Sequence, residues 1–183
     1  MKRFLTITAG LILVVAMLSL LTGCGSDATS EAKEYMQAGD SMVSDIEGEA
    51  EKLMNDMSEA FYEVTDLESF TDAVDEVKSR TAELSENADE ALAEYEKMEG
   101  LEDVENYKEY AELRIESGTI YKQMLQAIDS FLDRMLAEVE SGAPDEEAIN
   151  EIAQLFQEEM GTLSSQMEGI ENAAEELKEE ENL

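Results

Sequence analysis

The chain has 183 residues, with 46 Asp and Glu against 12 Lys and Arg, no His, no Trp, one Cys and one Pro. Without histidine a Ser-His-Asp or Cys-His triad, a His-ligated zinc and a Glu-x-x-His di-iron site are all excluded. A net charge of −34 repels the phosphate backbone and argues against nucleic acid as a partner, and one proline with ten glycines supplies too little turn chemistry for an all-β fold.

Residues 1–23 read as an address. Lys2 and Arg3 form a short positive region, and an apolar stretch from Phe4 to Leu21 follows, the layout of an export signal. It ends in Leu21-Thr22-Gly23-Cys24, which resembles the lipobox of bacterial lipoproteins. That resemblance implies cleavage just before Cys24, an acyl chain such as palmitate on its sulfur, and attachment to the extracytoplasmic face of the cell membrane. The alternative is an uncleaved anchor helix, since about 18 apolar residues just span a bilayer. A lone cysteine in an exported chain makes no internal disulfide, and lipidation gives it a purpose. Cleavage removes two of the 12 basic residues and no acidic one. Residues 24–30 are expected to form a short polar tether.

Residues 31–183 read as one all-α domain of four heptad-patterned helices, at about 31–64, 67–98, 103–140 and 145–179. In the first, Ala32, Gly39, Ile46, Leu53 and Ala60 make one apolar row beside Met36, Val43, Ala50, Met57 and Val64. The second carries Leu67, Val74, Thr81, Ala88 and Tyr95 beside Phe70, Val77, Leu84, Ala91 and Met98. The third carries Val104, Ala111, Gly118, Leu125, Leu132 and Val139 beside Tyr107, Arg114, Tyr121, Ile128 and Met135. The fourth carries Ile149, Phe156, Leu163, Ile170 and Leu177 beside Ala153, Met160, Met167 and Ala174. Only Thr81 and Arg114 interrupt these rows with a polar side chain. A 3,4 alternation sustained over about five heptads specifies bundled helices.

The breaks carry stop signals. Thr65-Asp66 suits a cap before Leu67, Gly100 suits the left-handed residue after a helix, Asp103 suits a third cap, and Ser141-Gly142-Ala143-Pro144-Asp145 reads as the clearest turn. Short connections predict an up-down-up-down antiparallel bundle, monomeric or built from dimerised hairpins. Reflecting the helices about their turns brings Phe61, Phe70, Phe131 and Phe156 to the end remote from Cys24. Tyr35, Tyr95, Tyr107 and Tyr110 then gather at the Cys24 end with Gly39, Ala88, Ala91, Ala111, Gly118, Ala174 and Arg114. Small residues so clustered either bring backbones together or leave a cavity.

Arg114 is the candidate binding residue, with Tyr35, Tyr95 and Tyr107 around it: a half-buried guanidinium can hold an anionic ligand group. The competing reading is an arginine that snorkels outward to pair with a glutamate, or leaves the core by a register slip onto Leu113, Ile120, Met124, Ala127 and Phe131. Methionines on heptad rows read as core filler rather than copper ligands. Asp40-Ser41-Met42-Val43-Ser44-Asp45 lacks EF-hand spacing, so no catalytic residue, metal site or cofactor is assigned. The expected function is a non-catalytic binding or spacer module with an acidic surface. A small-molecule pocket around Arg114 and a divalent-cation surface are the alternatives, and the charge favours a cationic protein or peptide as partner. Crowded like charges also lead one to expect raised carboxyl pKa values in the folded state.

Overall fold

The computed structural model describes residues 24–62, 64–142 and 145–183. Four helices run through them: α1 Cys24–Tyr62, α2 Leu67–Glu96, α3 Glu105–Glu140 and α4 Glu146–Glu181, with a 3₁₀ turn at Lys97–Gly100 after α2. They form the expected all-α, up-down-up-down antiparallel four-helix bundle. At 1.5 Å per residue the 39 residues of α1 extend about 58 Å. The export leader and the Leu21-Thr22-Gly23 part of the lipobox-like motif lie outside the described residues.

The helix ends follow local chemistry, with three departures from the sequence expectation. Asp66 caps α2: its side chain accepts the Ser69 N–H at 2.9 Å, and Ser69 Oγ in turn accepts the Asp66 N–H at 3.1 Å. Gly142 takes a left-handed φ of 75° and ends α3, and Asp145 caps α4 by accepting the Glu147 N–H at 2.9 Å. The first departure is at residues 24–30, where α1 is already helical from Cys24 instead of a tether. Ala28 and Ala32 pack against the core at that end, so helix is favoured about two turns earlier than the first heptad row indicates. The second is Gly100, which closes the 3₁₀ turn without a left-handed φ. That tightening leaves Met98 fully buried and lets the Leu101 N–H reach the Met98 carbonyl. The third is Asp103, which is no cap: it takes the left-handed φ of 60°, and Val104 starts α3 without a side-chain hydrogen bond.

The two apolar rows meet in two buried clusters. One runs through the middle of the bundle, with Ile46, Leu53, Val74, Val77, Leu84, Leu125, Ile128 and Leu132 at its centre. The other fills the Cys24 end, with Ala32, Met36, Tyr95, Met98, Val104, Tyr107, Tyr110, Ala111 and Ala174. At the remote end Phe131 and Phe156 stack with ring centroids 4.5 Å apart, and Phe70 packs on the same core; the Phe61 side chain lies outside the described residues. The polar interruption at Thr81 is absorbed by a hydrogen bond to Asp129 on α3 at 2.6 Å.

Neighbouring helices do not meet equally. α1 packs along α2, α2 along α3 and α3 along α4, but the backbones of α1 and α4 scarcely approach one another. Ala174 is the sole fully buried residue of α4 among those described; Ile149, Phe156, Met160, Leu163, Met167 and Ile170 are half-covered, because α4 has a partner on only one flank. The seam between α1 and α4 closes at the Cys24 end and opens toward the middle.

Candidate functional site

The closed part of that seam is built around Asp40. Gly39 makes it possible: a Cβ at that position would lie 2.6 Å from Tyr95 Cζ, so only glycine lets the Tyr95 ring lie against α1. The hydroxyls of Tyr95 and Tyr110 then donate to the same carboxylate oxygen of Asp40 at 2.8 and 2.7 Å. Lys178 of α4 donates to the other oxygen at 2.6 Å. Arg114 donates through Nε to the Tyr110 hydroxyl at 2.8 Å, forms a charged hydrogen bond with Glu175, and lies 3.8 Å from Asp40. Two carboxylates and two cations from α1, α3 and α4 thus neutralise one another, with Arg114 and Lys178 also seated over the Tyr110 ring.

The electrostatics follow from these bonds. Burial alone pushes the Asp40 carboxyl up, but hydrogen bonds from Lys178, Tyr110 and Tyr95 outweigh it and hold it below its ordinary value. Burial, reinforced by Asp40, raises both tyrosine hydroxyls well above theirs. Burial works against the Arg114 charge, yet Tyr110, Tyr95 and Asp40 raise its pKa. At the exposed Asp66 the backbone and side-chain bonds from Ser69 also lower the carboxyl. At Asp40 and Asp66 the carboxyl moves down, contrary to the rise expected from net charge, because short-range hydrogen bonds dominate at each.

Arg114 therefore sits where both sequence readings have a share. It remains on the core side, with 12% of its side chain exposed, and it also pairs outward with Glu175. Its charge is matched within the protein. Tyr35 donates to Glu31 at 2.7 Å, with the Lys97 ammonium over its ring, and Tyr107 is buried in the end core. The candidate set Arg114, Tyr35, Tyr95 and Tyr107 consequently does not line one pocket: Tyr95 is committed to Asp40, and only Arg114 borders the cavity described next.

Where the seam opens there is a cavity of about 630 Å³, bounded by Val43, Ile46, Ala50 and Met54 of α1, Ala88, Ala91 and Leu92 of α2, Gly118 and Tyr121 of α3, and Met167 of α4. Glu47, Glu51, Asn55, Arg114, Ser117 and Glu171 complete its wall. Along α1 it extends from Val43 to Asn55, about 18 Å at 1.5 Å per residue. Its volume falls within the range of about 300–1,000 Å³ common to small-molecule sites. Ser117 donates to Glu171 at 3.1 Å, fixing one carboxylate beside the opening. Met54 at the edge is 52% exposed. The Tyr121 hydroxyl is buried and, among the described residues, has no hydrogen-bond partner; burial, with Glu49 and Glu47 nearby, pushes its pKa up to about 12.

Small residues thus act in opposite ways. Gly39 and Gly118 accept the side chains of Tyr95 and Leu92, whereas Ala88 and Ala91 leave the floor of the cavity unfilled. Asp40 and Tyr121 are the residues that sequence reasoning missed. The one signal for Asp40 was its place beside Gly39, level with the tyrosines, and Tyr121 stood on a core row. Among the described residues no three carboxylates or thiols converge to hold a metal ion, and no helix is long and apolar enough to cross a membrane. Comparison with protein-family models, with curated proteins and with solved structures finds no match to this chain.

Proposed function

We propose that this chain is a non-catalytic ligand-binding module, held at the extracytoplasmic face of the cell membrane by lipid on Cys24, that takes a small and largely apolar molecule between α1 and α4. The observation that carries the reading is the cavity of about 630 Å³ with an apolar floor at the open α1–α4 seam. An apolar void of that size forfeits contacts that larger side chains at Ala50, Ala88 or Ala91 would supply. A ligand recovers them. The export leader and the Leu21-Thr22-Gly23-Cys24 motif support the address, and with α1 helical from Cys24 the bundle would stand directly on its anchor.

Two measurements test the halves separately. The full chain in zwitterionic lipid discs should bind an apolar fluorescent probe saturably at one site, beyond the partition seen with empty discs, and Ala50→Phe should abolish that binding. No saturable binding rejects the module. Mass spectrometry of the chain exported from a bacterial host should show an N-terminus at Cys24 with added acyl mass, lost in Cys24→Ser. An intact, unacylated N-terminus rejects the anchor.

A further inference from the structure

We propose that the molecule taken into the α1–α4 cavity is a lipophilic cation, an ammonium head on an apolar body; this rests on the binding reading above and narrows it to a ligand class. The wall supplies an apolar floor, but its charged side chains are mostly acidic. Glu47 and Glu51 stand on successive turns of α1, and Glu171 faces from α4, held by Ser117. Among the described residues Arg114 is the single cation bordering the cavity, and it is already matched by Glu175 and Asp40. The uncompensated field at the opening is therefore negative. A partly closed, low-dielectric groove concentrates that field, so a cation is drawn in and an anion is turned away.

Glu47 and Glu51 both stand on α1, so the head group belongs at the α1 side of the opening. An apolar tail then lies along Ala88, Ala91 and Gly118 toward Met167. The volume favours a small molecule over a protein segment. A helix with side chains is about 10 Å across, so an 18 Å length of it needs roughly twice the available space.

The test uses a matched series of octylammonium, octanol and octanoate, titrated into the full chain in zwitterionic lipid discs with empty discs subtracted. Octylammonium should bind saturably and at least tenfold tighter than octanol, with octanoate weakest. Glu47→Gln/Glu51→Gln, at two exposed positions where folding is not at stake, should cut that preference about fivefold or more while leaving octanol unchanged. Ala50→Phe should block all three, with helicity by circular dichroism as the folding control. Equal binding of octanol or octanoate overturns the cation proposal and leaves the module standing, whereas no binding by any of the three overturns the module itself. Octylammonium binding that survives Ala50→Phe means surface ion pairing and overturns the proposal. So does a basic amphipathic peptide that binds and is blocked by Ala50→Phe where octylammonium does not bind.

Discussion

The Cys24 end and the middle of the bundle are built from the same heptad rows, yet one is sealed and the other open. At the Cys24 end α1 and α4 are joined through Asp40 and Lys178, and Ala174 is wholly buried. Two to three turns further along, the same two helices part around a cavity floored by alanines. The difference teaches that in a bundle so rich in acid the seam closes where a carboxylate finds two tyrosines, a lysine and an arginine, and stays open where carboxylates face each other across the gap.

The most damaging way to break the comparison is to remove the hub. Asp40→Ala leaves Tyr95, Tyr110 and Lys178 without their shared acceptor, and discounting for partial exposure should cost about 2–3 kcal/mol, read as a lower denaturation midpoint. The pH dependence has a defined sign. Asp40 is depressed in the folded state, so its contribution is complete above its unfolded value of about 4 and is lost as pH falls through the folded one. The stability gap between the native chain and Asp40→Ala should therefore be constant from pH 7 to about 5 and shrink below about pH 4. A gap that widens on acidification contradicts this account.

Next in size is a pair of identical enlargements placed in the two regions. Ala174→Leu should overpack the sealed end and cost about 1–3 kcal/mol, whereas Ala91→Leu, whose neighbours leave room, should be near neutral or stabilising. Thermal melts of the two variants decide it, and equal losses would mean the cavity is not truly vacant space. Smaller still is the glycine contrast. Gly39→Ala gains helix propensity but forces the Tyr95 ring aside, for a net cost of about 1 kcal/mol. Gly169→Ala in α4 meets nothing within 4 Å and should stabilise by about 0.5–1 kcal/mol. The smallest change is salt: screening the excess of 46 acids over 12 bases should raise the melting temperature by a few degrees.

Much of the fold was legible because it rests on local rules. The seam spacing set four helices, the cap at Asp66 and the turn at Gly142 fell where their chemistry demands, and folding the chain back on itself placed the tyrosines together at one end. The Asp66 box needed Ser69 as well, a residue whose reciprocal bond only the turn geometry shows. Asp103 was misread because an aspartate suits both a cap and a left-handed residue, and the tightened end of α2 selects the second.

Sequence by itself determined the helices, their antiparallel order and the acidic surface, since periodicity, capping and charge are properties of the chain. Which small residues admit a neighbour and which leave a void, which of 46 acids becomes the hub, and which seam stays open were decided only by tertiary structure. Those outcomes depend on distances between helices, and a one-dimensional pattern fixes the faces that meet without fixing how closely they do.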